Sequence, residues 1–198
     1  MQPEGGHRSL HAYTLAQAMT SFEDEKFELS VKCCEKLLAM RAPITDAIGN
    51  GAITQFCTYG WSKHPARLAD ISKLADAYVA AGEMHLEIPF PGTPFSHDES
   101  DDNGGVHFNG VKPLAVAIMS GDLEFVGYLL DRRVSLDLGV VYFGAGPYQA
   151  LDLALELQLP EIAARVNEHA MSLQLESLAP GIAHAARPSQ PTRPKRIL

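Results

Sequence analysis

The densest set of chemically capable side chains in this 198-residue sequence is His97-Asp98-Glu99-Ser100-Asp101-Asp102, with His107 shortly after. Carboxylates and imidazoles at such spacing suit a divalent cation. A calcium loop, however, needs glycine at its sixth position and glutamate at its twelfth. Counted from Asp98, those positions are Asn103 and Asn109. The segment therefore reads first as a solvated acidic turn. His97, Asp98 and His107 would meet only across a hairpin. The eight histidines, at 7, 11, 64, 85, 97, 107, 169 and 184, form no HExxH and no paired Cys/His spacing.

Nucleophiles are as sparse. Cys33, Cys34 and Cys57 all fall in helical patterns, where a free cysteine behaves as a small hydrophobe. No neighbouring motif supplies a base. There is no GxSxG and no phosphate-binding glycine loop, and Gly144-Ala145-Gly146-Pro147 reads as a turn. The expectation is a non-enzyme with no metal and no cofactor.

The elements that carry these residues follow from apolar spacing. Between 112 and 138, Pro113, Leu114, Val116 and Ala117 begin a short helix that Gly121-Asp122 ends. Leu123, Val126, Leu129 and Leu130 form the stripe of a second helix, and Val134 to Leu138 leaves as an alternating, extended segment. A helix pair this small cannot bury its apolar face alone, so neighbouring copies are expected. Gln149 to Leu155 repeats the first helix and Pro160 to Val166 the second, with Gln158-Leu159 at a corner that has lost its glycine. Upstream, Gly51 to Gly60 has the length and final glycine of the first half. The chain then passes through Trp61 to Pro65 before a helix at about 66–81 that Gly82 caps. Earlier still, Leu10 to Met19 precedes a stripe of Phe27, Val31, Cys34, Leu37 and Leu38.

These units resemble ankyrin repeats, whose form is TPLHLAA, a corner, EVVKLLL and GADVNA. Lys112 to Ile118 matches the first block and Glu124 to Leu130 the second without a gap. The resemblance implies an all-α solenoid of four degenerate helix-pair repeats with short finger segments. The repeats span 8–46, 47–90, 110–140 and 146–175 of a 1–175 domain. Arg133 stands where the family has a helix-closing glycine in the left-handed region, so the residue is strained there or the helix ends differently. His11 sits at the TPLH histidine, where it would bond backbone. A bundle or a TPR- or HEAT-like stack is the rival, but lacks the extended fingers read at MHLEIPF and VSLDLGVVYF.

Two segments break the pattern. An insertion at 91–109, with Pro91 and Pro94 and an acidic run, reads as a loop projecting from the finger side. From 176 to 198 the composition turns to Pro, Ala and Arg, which reads as a disordered tail or a basic anchor. Net charge is −8, which argues against nucleic acid and anionic membranes. No run approaches about 20 apolar residues, and the first residues lack a secretory signal pattern. An odd cysteine count with Cys33 and Cys34 adjacent fits a reduced cytoplasmic compartment.

Ankyrin repeats are protein-binding scaffolds, so the resemblance implies one protein partner, basic by charge complement, for a chain that is monomeric when free. The expected contacts are Trp61, Lys63, His64 and Asp122 at the helix corners, and His85, Glu87, Phe90, Tyr142 and Phe143 on the fingers. Tyr148 and the acidic Asp98, Asp101 and Asp102 complete the set. Trp61, the single tryptophan, has a second reading as a plug for the gap its insertion leaves, and Tyr142 and Phe143 as packing under the last helix. The worn repeats look bacterial. A toxin-neutralising immunity protein and a translocated effector both fit, and a metal-dependent enzyme built on the insertion is the reading from another class.

Overall fold

A computed structural model describes residues 10–44, 52–58, 60–90, 110–140 and 147–185. Helices come in pairs. They are α1 (Leu10–Thr20) with α2 (Asp24–Ala39), α3 (Ala52–Thr58) with α4 (Leu68–Ala80), α5 (Pro113–Met119) with α6 (Leu123–Asp131), and α7 (Ala150–Glu156) with α8 (Pro160–Ala185). First helices stack in one row, α1 on α3, α3 on α5 and α5 on α7. In the second row α2 packs on α4 and α6 on α8. The described residues are thus mostly helical, with a two-stranded antiparallel hairpin of β1 (Asp137–Val140) and β2 (Pro147–Gln149).

Position in the rows explains the sequence pattern. Helix α5 lies between α3, α6 and α7, so Leu114 to Ile118 is buried without interruption and shows no amphipathic period. Its Pro113 occupies the first turn, where a missing N–H leaves nothing unpaired. Helix α6 starts at Asp122, whose side chain accepts the Phe125 N–H, an ordinary aspartate N-cap. The buried apolar residues of all four pairs form one continuous core.

The helix ends share one form of closure. After α2, α4, α5, α6 and α7 the chain makes the same paired 5→2 and 6→1 hydrogen bonds, for instance Gly121 N–H to Ile118 O and Asp122 N–H to Ala117 O. This closure needs a left-handed residue. Gly82 and Gly121 supply it at φ 76° and 68°, but Arg41, Arg133 and Gln158 do so at 53°, 57° and 56°. Arg133 therefore keeps the turn and bears the strain, rather than moving the helix end.

Some elements differ from the sequence reading. The segment after α4 is a series of bends, not an extended finger, whereas the finger after α6 forms β1 and pairs with β2. Residues 61–67 make two 3-10 turns, Trp61–Lys63 and Pro65–Arg67, before α4 begins. Helix α8 continues to Ala185, past the composition change at 176. The insertion leaves from a neck at Phe90, which accepts the Gly110 N–H and donates its own to Val111 O, but 91–109 and 186–198 lie outside the described residues. No helix among the described residues is long and apolar enough to cross a membrane.

Candidate partner-binding site

The extra turns after α3 create a tightly tied corner. Gly60, at φ 60°, turns the chain so that the backbone N–H of Trp61 points at the Asp122 carboxylate. Asp122 also accepts from the Ser62 N–H at 3.3 Å, from Ser62 Oγ at 2.7 Å and from the Phe125 N–H at 3.2 Å. One buried side chain thereby caps α6 and ties the preceding corner to it. The Trp61 ring stacks on Phe125 at 4.9 Å between centroids and lies 4.6 Å from Tyr128, while Nε1–H donates to Phe56 O at 3.2 Å.

These contacts decide the corner residues. Trp61, His64 and Asp122 are 1%, 7% and 5% exposed, which leaves no area for a partner. Their place is in the interior, and the plug reading of Trp61 is the one the packing supports. His64 lies 5.2 Å from the Phe22 ring between centroids. The sequence did carry the signal for Asp122, since an aspartate directly before an apolar helical run is an N-cap pattern. Lys63 is exposed beside this corner.

On the finger side His85 and Glu87 are exposed, and Glu87 accepts the Ser135 N–H, joining the bends after α4 to the segment after α6. Phe90 is buried and Tyr148 is half-buried against the core. Asp98, Asp101, Asp102, Tyr142 and Phe143 lie outside the described residues. The necks of both segments that carry them, Phe90 with Gly110 and Val140 with Pro147, belong to the fingers.

Sequence reading missed a set of clamps across the second row. Arg67 binds Asp24, Arg132 binds Asp76 and Arg165 binds Asp131, so each pair grips the one before it. Arg132 also covers the Tyr128 ring at 3.5 Å, and Tyr128 donates to Asp76 at 3.2 Å. Burial pushes the Tyr128 phenol up; Arg132 pulls it down and Asp76 adds a smaller upward push. Nothing in one sequence marks residues 34 to 56 positions apart as partners.

Between α4, α6 and α8 a groove of about 870 Å³ opens along the second row. Leu68 and Ser72 line it from α4, Leu123, Gly127 and Tyr128 from α6, and Ala164 from α8. Glu124 and Glu161 stand on its walls.

The buried thiols and the buried His11 are held within the core. Cys34 and Cys57 are held as thiols: burial pushes Cys34 up to about 11 and Cys57 well above its usual value. His11 donates or accepts only inside the core, with Nδ1 3.0 Å from Ala42 O and Nε2 2.6 Å from the Tyr78 hydroxyl. The carbonyl accepts, so Nδ1 carries the hydrogen and Nε2 takes the Tyr78 O–H. This is the backbone-bonding role expected of that position. Among the described residues no three His, Cys, Asp or Glu side chains gather as a metal group. No protein-family model matches the sequence, and no curated protein matches it significantly.

Proposed function

We propose that the chain is a non-catalytic, ankyrin-like scaffold that binds one protein partner through its finger side and the adjoining face of the first helices. The supporting observation is recurrence: the first helices stack in one row, α1 on α3 on α5 on α7, and the same left-handed turn closes five helix ends. Such an array holds a broad surface rigid while its core uses few of the outward side chains, and a preordered surface lowers the cost of association.

In this reading Lys63 and His85 are exposed contacts, and Tyr148 supports the finger that bears Tyr142 and Phe143. Asp98, Asp101 and Asp102, in the segment between Phe90 and Gly110, add negative charge in this reading, so the partner face is basic. The work is cytoplasmic and the free chain is a monomer. Neutralising a toxin by covering a basic active site is the role this charge pattern suits best. No catalytic residue, metal or cofactor takes part.

The test is affinity capture from lysate of the source organism, read by mass spectrometry, with wild type beside an Asp98→Asn/Asp101→Asn/Asp102→Asn variant. One protein enriched by wild type and lost with the variant supports the reading. Equal capture by both removes the acidic segment from it, and no enrichment by either removes the lysate partner.

A further inference from the structure

Gly127 sits in the interior of α6, where the backbone is helical and needs no left-handed residue. A Cβ built there would meet no atom within 4 Å. Neither a turn nor a close approach accounts for glycine, which is less stable than alanine inside a helix. What the missing side chain does is keep the floor of the α4/α6/α8 groove open, and Ala164 keeps α8 equally low beside it.

The charge in that groove is unbalanced. Its two cations are engaged, Arg132 with Asp76 and Arg165 with both Asp131 and Glu168. Glu124 and Glu161, in the first turns of α6 and α8, form no ion pair among the described residues. Beside them lie Leu68 and Leu123, both half-buried. The site thus offers two uncompensated carboxylates, an apolar wall and a cleared floor, in a volume within the ~300–1,000 Å³ range of small binding sites.

We propose that this groove docks a short basic segment of a partner protein, with one lysine or arginine side chain between Glu124 and Glu161 and an apolar neighbour over Gly127. The complement is specific in sign: an acidic segment would meet four carboxylates, Glu124, Asp131, Glu161 and Glu168, and two occupied arginines. This surface belongs to the second helices and is separate from the finger side, so it stands or falls without the scaffold's finger contacts.

The test is heteronuclear NMR titration of the full chain with acetyl-Ala-Leu-Arg-Leu-Ala-amide, against the same peptide with glutamate replacing arginine. Saturable shifts at Glu124, Gly127, Glu161 and Ala164 with the arginine peptide alone support the proposal. Gly127→Leu, which fills the floor, should abolish them while the fold persists. Glu124→Gln/Glu161→Gln, at exposed positions, should weaken binding at least about fivefold and remove most of its salt dependence. Gly127→Ala should raise the melting temperature by about 2–4 °C. Absence of saturable groove shifts, equal shifts with the glutamate peptide, or unchanged binding by the double glutamine variant would overturn it.

Discussion

The Asp122 carboxylate accepts the backbone N–H of Trp61, 61 residues away in sequence, while capping the helix that follows it. Two consecutive helix pairs are therefore joined through a single buried acid. Asp122→Ala would leave the N–H groups of Trp61, Ser62 and Phe125 without their acceptor. Loss of a cap and of buried partners together should cost about 2–4 kcal/mol. Asp122→Asn, which keeps one acceptor oxygen, should cost less. Urea unfolding measures both; a loss below about 1 kcal/mol for the alanine variant would show that the corner does not depend on this acid.

The left-handed arginines and glutamine make a prediction of opposite sign. Arg133→Gly and Gln158→Gly each relieve a Cβ penalty of about 1–2 kcal/mol and incur the unfolded-state entropy of glycine, about 0.5–1 kcal/mol. Each should stabilise by a few tenths to about 1 kcal/mol. The exposed Arg133–Glu176 pair that the first variant removes contributes little. Gly121→Ala, at φ 68°, should destabilise. Thermal melts of the three variants test the set, and destabilisation by both glycine variants would refute the strain.

Alkaline pH should unfold the chain sooner than its surface charge suggests. Cys34 keeps its proton to about 11 in the fold against 9.0 when exposed, so the folded state binds more protons between those values. Its contribution is complete below pH 9 and is lost as pH rises through 11, on the order of 2–3 kcal/mol. Burial of Cys57 and Tyr78 acts in the same direction. Urea midpoints at pH 8 and 10.5 should differ, and Cys34→Val should reduce the difference. An equal difference in the variant would assign it elsewhere.

Thiol accessibility separates the three cysteines. Cys33 is exposed, while Cys34 and Cys57 are buried. Native protein should therefore react rapidly with Ellman's reagent at one thiol of the three, and at the other two only on unfolding. Rapid reaction of all three would mean that the helical rows open readily.

Legibility in the sequence followed locality. The helix pair at 113–131 was readable because capping, the Gly-Asp corner and the apolar stripe all act within a few residues. The left-handed turns at Arg133 and Gln158 were readable as lost glycines, since hydrogen bonding within the turn dictates their backbone. For Trp61 the sequence left a surface contact and an interior plug both open, and for Asp122 it offered a surface contact; the distant α6 turns both inward. The Arg–Asp clamps and the groove over Gly127 arise from stacking between pairs, and no local period records them.

Partner binding by the finger side is the central proposal. Its most direct test is calorimetric titration of the purified captured protein into the full chain, beside the Asp98→Asn/Asp101→Asn/Asp102→Asn variant. The expected result is one partner per chain and at least about tenfold weaker binding by the variant, with wild-type affinity falling as salt rises. No binding, or the same affinity and salt dependence in both proteins, would contradict it.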